Sequence, residues 1–182
     1  MKTKTKNTIN TKKIFYVWTR NKGLIQIRKV LKKRGESVEI YGIFLGQGNQ
    51  KSDINIDIKH MAPDAKSRII VRGIVQDNSK IRFCGTISIR KGARNSDAFL
   101  DVKAITLSKN SSCTLEPRLE IDENDVRAAH SSRVGPLDEN EVFYLCSRGI
   151  NEQAAKRLLI NGFLTCLSVN FPPRLRKQIV LV

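Results

Sequence analysis

The residues able to bind a metal or attack a substrate are few and scattered. Two histidines, His60 and His130, and four cysteines, Cys84, Cys113, Cys146 and Cys166, make up the whole set of soft ligands. The cysteines are separated by 29, 33 and 20 positions, so no C-x-x-C pair exists to hold zinc or to cycle as a disulfide. They read as small apolar packing residues, free thiols of a reducing compartment. Neutral imidazole is a competent iron ligand at pH 7, but on residue pattern alone His60 reads as structural beside a turn and His130 as an ordinary buried or strand-end histidine. Gly46-Gln-Gly48 lacks the Gly-Lys-Ser/Thr continuation of a phosphate loop and reads as a turn. No Ser/His/Asp set, H-E-x-x-H motif or carboxylate pair stands out, so hydrolase and metalloprotease readings have no support.

Whatever these groups do, other elements must position them, and charge divides the chain first. The sequence has 33 Lys+Arg against 17 Asp+Glu, a formal +16. Residues 1–34 hold nine lysines and three arginines with no acid at all, leaving 21 basic and 17 acidic side chains for the rest. This gives three parts: a basic N-terminal arm at 1–34, a β core at 35–134 and a C-terminal helical region at 135–182. An acid-free arm is a solvated tail, an organelle transit peptide, or a nucleic-acid contact in which Phe15, Tyr16 and Trp18 stack on bases beside phosphate-neutralising lysines. Ile14 to Trp18 is too short for a secretory h-region, and no apolar run approaches the ~20 residues of a bilayer-spanning helix.

From Val38 to about His130 the apolar residues recur with period two, the pattern of strands with one buried face. Asp53 to Lys59 is the clearest run, with Ile54, Ile56 and Ile58 on one side. Similar runs cover Val38 to Leu45, Arg68 to Val75, Lys80 to Arg90, Ala98 to Leu107 and Arg118 to Ile121, separated by Gly, Asn, Asp and Ser turns. Strands this regular without helices between them predict a sandwich, a barrel or a stacked solenoid.

After Gly135 the period changes. Asp138 is placed to cap a helix, Glu141 to answer it three residues later, and Gly149 to stop it. A second helix is predicted from Asn151 to Ile160, with Ala154, Ala155, Leu158 and Leu159 on one stripe and Asn161-Gly162 closing it. Pro172-Pro173 forbids a continuing helix.

Several stretches then match a known family in order and spacing over roughly residues 33–165. They are Tyr41 to Gly48 with Gln50 and Asp53, His60, Ala62-Pro63, Ser67-Arg68, Arg72-Gly73, Phe83 to Ile87, Asp97-Ala98, Leu107-Ser108, Pro117 to Ile121, Asn124 to Val126, His130, Val134 to Asp138 and Phe143 to Ile150. The chain resembles the SufB/SufD scaffold subunits of the Suf iron–sulfur cluster assembly system, the SufD branch more than SufB.

The resemblance implies a right-handed parallel β-helix followed by a small helical hairpin, and a non-catalytic scaffold subunit. Its partners would be a SufB-like chain, paired through the β-helices, and a SufC-like ATPase, with no membrane or nucleic-acid partner. No cofactor is bound tightly, and iron or an iron–sulfur cluster is transient and shared with a partner. The location implied is the cytoplasm, or an organelle matrix if residues 1–34 are a transit peptide. His130 matches the histidine that the family uses in cluster building at the SufB–SufD interface, which makes it the candidate metal ligand. Ala128 stands where the family has a cysteine, and Ser131-Ser132-Arg133 replaces a Gly-Ala-Thr continuation. Phe143, Tyr144, Arg148, Leu158 and Leu159, with Leu145 and Phe163, are the candidate SufC-docking surface, about half of them facing the partner. The match corresponds to roughly the C-terminal half of a family member, so the stack begins at an open coil that Leu24 to Leu31 could cover by adding a strand or two. The alternatives are a nucleic-acid-binding protein acting through the arm and a truncated relic without function.

Overall fold

A computed structural model describes residues 11–19 and 23–179, and readings that concern residues 1–10 and 20–22 lie outside it. Nine strands come first: β1 Lys12–Trp18, β2 Gly23–Leu31, β3 Ser37–Gly46, β4 Lys51–His60, β5 Lys66–Val75, β6 Lys80–Ile89, β7 Ser96–Thr106, β8 Ser112–Ile121 and β9 Val126–Gly135. Three helices follow among the described residues, α1 Glu139–Ser147, α2 Glu152–Ser168 and α3 Pro173–Arg176. All strand pairing is parallel and joins alternate strands, giving one sheet in the order β1-β3-β5-β7-β9 and a second in the order β2-β4-β6-β8. This is a β-solenoid of about four turns, with about 30 residues per coil.

The period-two residues of both sheets point between them, and they stack in rows because paired strands are in register. One row runs Ile14, Ile40, Ile69, Leu100, His130, and another Leu31, His60, Ile89, Ile121. The two segments read as arm thus enter the stack: Lys12–Trp18 and Gly23–Leu31 form its first coil, with Trp18 and Leu31 buried in the main core. Phe15 stacks on Tyr41 at 5.4 Å and packs against Phe171 at 5.1 Å, while Tyr16 stacks on Trp18 at 5.4 Å. These rings are committed to packing, which removes the base-stacking part of the nucleic-acid reading.

The turns stack as well. Gly35, Asp64 and Asn95 all have left-handed backbone, with φ of 70°, 61° and 55°, and each donates its N–H to the coil that follows, to Pro63, Arg94 and Asp125 respectively. Glycine, aspartate and asparagine are the residues that adopt this conformation at least cost, which explains why this column contains no others.

Gly73 solves a different problem, since a Cβ there would lie 2.0 Å from the ring of Phe44, its buried cross-strand partner. Gly73→Ala is therefore expected to lower stability by about 1–3 kcal/mol through overpacking. Gly135→Ala, with nothing near its Cβ, is expected to leave the denaturant midpoint almost unchanged, and chemical unfolding of both variants checks this.

The helices cover the outer face of the five-stranded sheet. Asp138 caps α1 by accepting from the Asn140 N–H, Asn151 caps α2 by accepting from the Ala154 N–H, and Gly149 ends α1 with φ of 88°. Unlike the sequence expectation, α2 does not stop at Asn161-Gly162 but continues to Ser168. Ala155, Leu164 and Leu167 are its buried residues, and Leu164 and Leu167 with half-buried Ile160 and Phe163 share a core cluster with Tyr41, Ile43, Leu45 and Ile74. That burial outweighs the roughly 1 kcal/mol that one interior glycine costs a helix. The stripe of Ala154, Ala155, Leu158 and Leu159 is divided between core and surface: Ala155 is buried and Leu158 is 52% exposed. Pro172 and Pro173 open α3 at positions that need no N–H partner.

Candidate functional site

His130 lies in the middle of β9, the last strand of its sheet, directly over Leu100. Its row faces inward, and the other members of that row are the aliphatics Ile14, Ile40, Ile69 and Leu100. His130 is nevertheless exposed, because among the described residues no coil stacks on β9. The imidazole is thus exposed on the side of β9 that has no paired strand among the described residues.

The surroundings do not complete a metal centre. Among the described residues no three His, Cys, Asp or Glu side chains converge. Ala128 is half-buried two residues before His130 and offers no ligand. Cys113 is packed against the core of the same terminal coil, and burial pushes its thiol up to about 12, so it stays protonated at neutral pH. Among the described residues the donor set here is a single imidazole, which does not fit a resident cluster.

His60, by contrast, is wholly enclosed. Its Nε2 lies 2.8 Å from the Ser67 hydroxyl, its Nδ1 has no partner, and burial lowers its pKa to about 4, with the nearby Asp97 carboxylate opposing that shift. It is a neutral core histidine.

The second candidate surface is the helical hairpin. Phe143, Tyr144 and Leu158 are 74%, 57% and 52% exposed, and Arg148 is exposed with its guanidinium 5.3 Å from the Tyr144 ring. Leu159 is half-buried, and with Tyr144, Leu145 and Leu158 it lines an apolar groove of about 380 Å³ between the two helices. Phe143 instead borders a groove of about 700 Å³ against the β7–β8 turn, lined by Leu107, Val142, Cys146 and Ile160. Sequence reasoning missed Val142 and Ile160 as lining residues, although the spacing of Val142, Phe143 and Cys146 along α1 carries that signal. Phe163 lines neither of these two grooves; it is half-buried, 5.9 Å from the Arg72 guanidinium.

A family model described as the SufBD core domain of the SUF system for FeS cluster assembly matches residues 8–163. The chain belongs to the SufBD family. The match starts well before residue 33, so the first coil is part of the SufBD core and not an appendage to it. The iron–sulfur cluster assembly protein SufD of Bacillus subtilis is 33% identical over 141 residues, which is 77% of this chain and 32% of that protein. A SufBD family protein of Mycobacterium leprae is 28% identical over 155 residues, 80% of this chain and 40% of that one, and another from Mycobacterium bovis is 26% identical over 134 residues, 74% and 16%. This SufBD chain therefore spans well under half the length of these relatives.

Proposed function

We propose that this protein is a non-catalytic, SufD-like scaffold subunit of a cytoplasmic iron–sulfur cluster assembly complex. It pairs with a SufB-like chain through its solenoid and docks a SufC-like ATPase on α1 and α2. The observation that carries this reading is the group of large side chains on capped, well-bounded helices, Phe143, Tyr144 and Leu158, that no other part of the described chain covers. Exposed aromatic and aliphatic residues grouped with an arginine have the composition of binding hot spots. His130 contributes a single imidazole across the interface with the SufB-like chain, and iron or the nascent cluster is the cargo. Arg133, three residues on, disfavours free iron cations there unless the partner brings carboxylates or thiolates.

Co-expression with the SufB-like and SufC-like proteins of the same organism, followed by affinity capture and size-exclusion chromatography, tests the reading. A stoichiometric complex is expected. F143A/Y144A is expected to weaken ATPase capture at least roughly tenfold while leaving the thermal unfolding transition in place, since neither residue is buried. His130→Ala is expected to leave the complex assembled and reduce its iron content. A folded chain that captures neither partner overturns the scaffold reading.

A further inference from the structure

The helices do not seal the whole outer face of the five-stranded sheet. Between α2 and the ends of β7 and β9 lies a cleft of about 420 Å³, within the ~300–1,000 Å³ range of small-molecule sites. Lys103, Ile105 and Arg133 line it from the sheet, and Leu158, Leu159 and Phe163 line it from α2. Asp138 and Glu141, at the start of α1, complete it. Arg133 is three residues from His130, so the two side chains leave opposite faces of β9 and the cleft lies away from the histidine.

The basic part of this lining is poorly answered. Arg72, Lys103 and Arg133 stack in register on β5, β7 and β9, about 5 Å from strand to strand. Aligned like charges repel. One carboxylate lies among them: Asp101, only 8% exposed, holds Arg72 at 2.6 Å through Oδ2, while its Oδ1 has no hydrogen-bond partner and stands 3.9 Å from the Lys103 ammonium. Arg28, Arg68, Arg82 and Arg118 on other strands each have a carboxylate at 3.8 Å or less. Among the described residues Arg133, like Arg127, has none.

The acidic part has the same feature. Asp138 Oδ1 accepts from the Asn140 N–H at 2.9 Å, and Glu141 is exposed with no ion pair among the described residues. Arg133 and Glu141 thus carry opposite charges, line one cleft and do not meet.

We propose that this cleft binds a small zwitterion of the amino-acid class. Its carboxylate rests on Arg133 and Lys103, its ammonium on Glu141 with Asp138 adding negative potential, and its apolar side chain against Ile105, Leu158, Leu159 and Phe163. A plain anion would meet the two carboxylates, and a plain cation would meet Lys103 and Arg133. A molecule carrying both charges answers both sides. The site needs no second chain, because every residue that lines it belongs to this one.

Titration of the full chain with L-leucine and L-phenylalanine, followed through backbone amide chemical shifts, is the test. Saturable shifts are expected for residues 133–141 and 158–163 with at least one of the two. For leucine, 4-methylpentanoate lacks the ammonium and 3-methylbutylamine lacks the carboxylate, and each is expected to bind at least about tenfold more weakly than the amino acid. Arg133→Ala and Glu141→Gln are each expected to weaken amino-acid binding by a similar factor. Both side chains are exposed, so both variants are expected to melt close to the parent. No saturable shift below about 10 mM with either amino acid, a one-charge analogue that binds as well as its parent, or binding that survives both substitutions overturns the proposal.

Discussion

Asp101→Ala is expected to destabilise the protein by about 3–5 kcal/mol, the range for removing one partner of a buried ion pair. Arg72 and Asp101 face each other across β5 and β7 on the outer side of the five-stranded sheet, where α2 covers them, and their side chains are 11% and 12% exposed. The Arg72 guanidinium donates to Asp101 Oδ2 at 2.6 Å and to the Val71 carbonyl at 2.9 Å, with the Phe163 ring above it. Removing the carboxylate leaves a permanent cation under an apolar helix with one hydrogen bond. Arg72→Met combined with Asp101→Leu removes both charges, and that double variant is expected to lie within about 2 kcal/mol of the parent. Urea unfolding of the three proteins decides the matter, and a single variant that loses less than about 1 kcal/mol would mean that water reaches the guanidinium.

The second large effect depends on pH. His60 has an ordinary pKa near 6.5 when unfolded and about 4 in the fold, so the native state resists protonation. Above pH 6.5 both states are neutral and the group has no effect. As pH falls from 6.5 to 4 the unfolded chain takes up the proton first, and stability drops by up to about 3 kcal/mol from this residue alone. Below pH 4 the two states titrate together and the loss levels off. His60→Leu retains the apolar volume between Leu31 and Ile89 and is expected to flatten the stability curve between pH 4 and 6.5 by about that amount. If the difference between parent and variant is the same at pH 7 and pH 4.5, the imidazole is not the titrating group.

Much of this architecture was legible because each strand's inner face is read by its neighbours. Ile54, Ile56 and Ile58 announce β4, and Asp138 with Gly149 brackets α1, since caps and alternation act through adjacent residues. The first coil was only half visible for the same reason: Leu24 to Leu31 read as able to add a strand, and β2 is that strand, but β1 was not foreseen. Lys12 and Lys29 occupy inward positions at the edge of the stack, where a lysine stem packs and its ammonium reaches water, and Phe15 and Val17 are apolar on the outer side because they pack against the second core cluster, with Phe171 on Phe15. Alternation is blurred wherever both faces are covered. β9 was obscured differently: its inward row of Val126, Ala128, His130, Ser132 and Val134 is small and polar, fit for an end face and not for a core. The length of α2 could not be read from Asn161-Gly162, because what sustains it is contact with Tyr41, Ile43 and Ile74, over eighty residues earlier. At the candidate site, the identity of His130 was visible in the sequence, but its exposure follows from its place in the stack.

Stacked-coil proteins ordinarily open like a zipper, each coil held only by the one beside it, so the terminal coils exchange amide hydrogens first. Here the chain's far end returns to its beginning: Phe171 lies against Phe15 of β1, and Leu164, Leu167 and Ile179 join the same cluster over β3 and β5. The C-terminal segment thereby acts as a clasp across the coils it crosses. Fraying of β1 must break helix contacts as well as ladder bonds, and release of the clasp must expose three strands at once. Local opening is thereby expected to become a cooperative event, with the amides of β1 and of the C-terminal segment exchanging together. A protein that grips α1 and α2 would consequently tighten the first coil, on the opposite end of the solenoid from His130, without touching it.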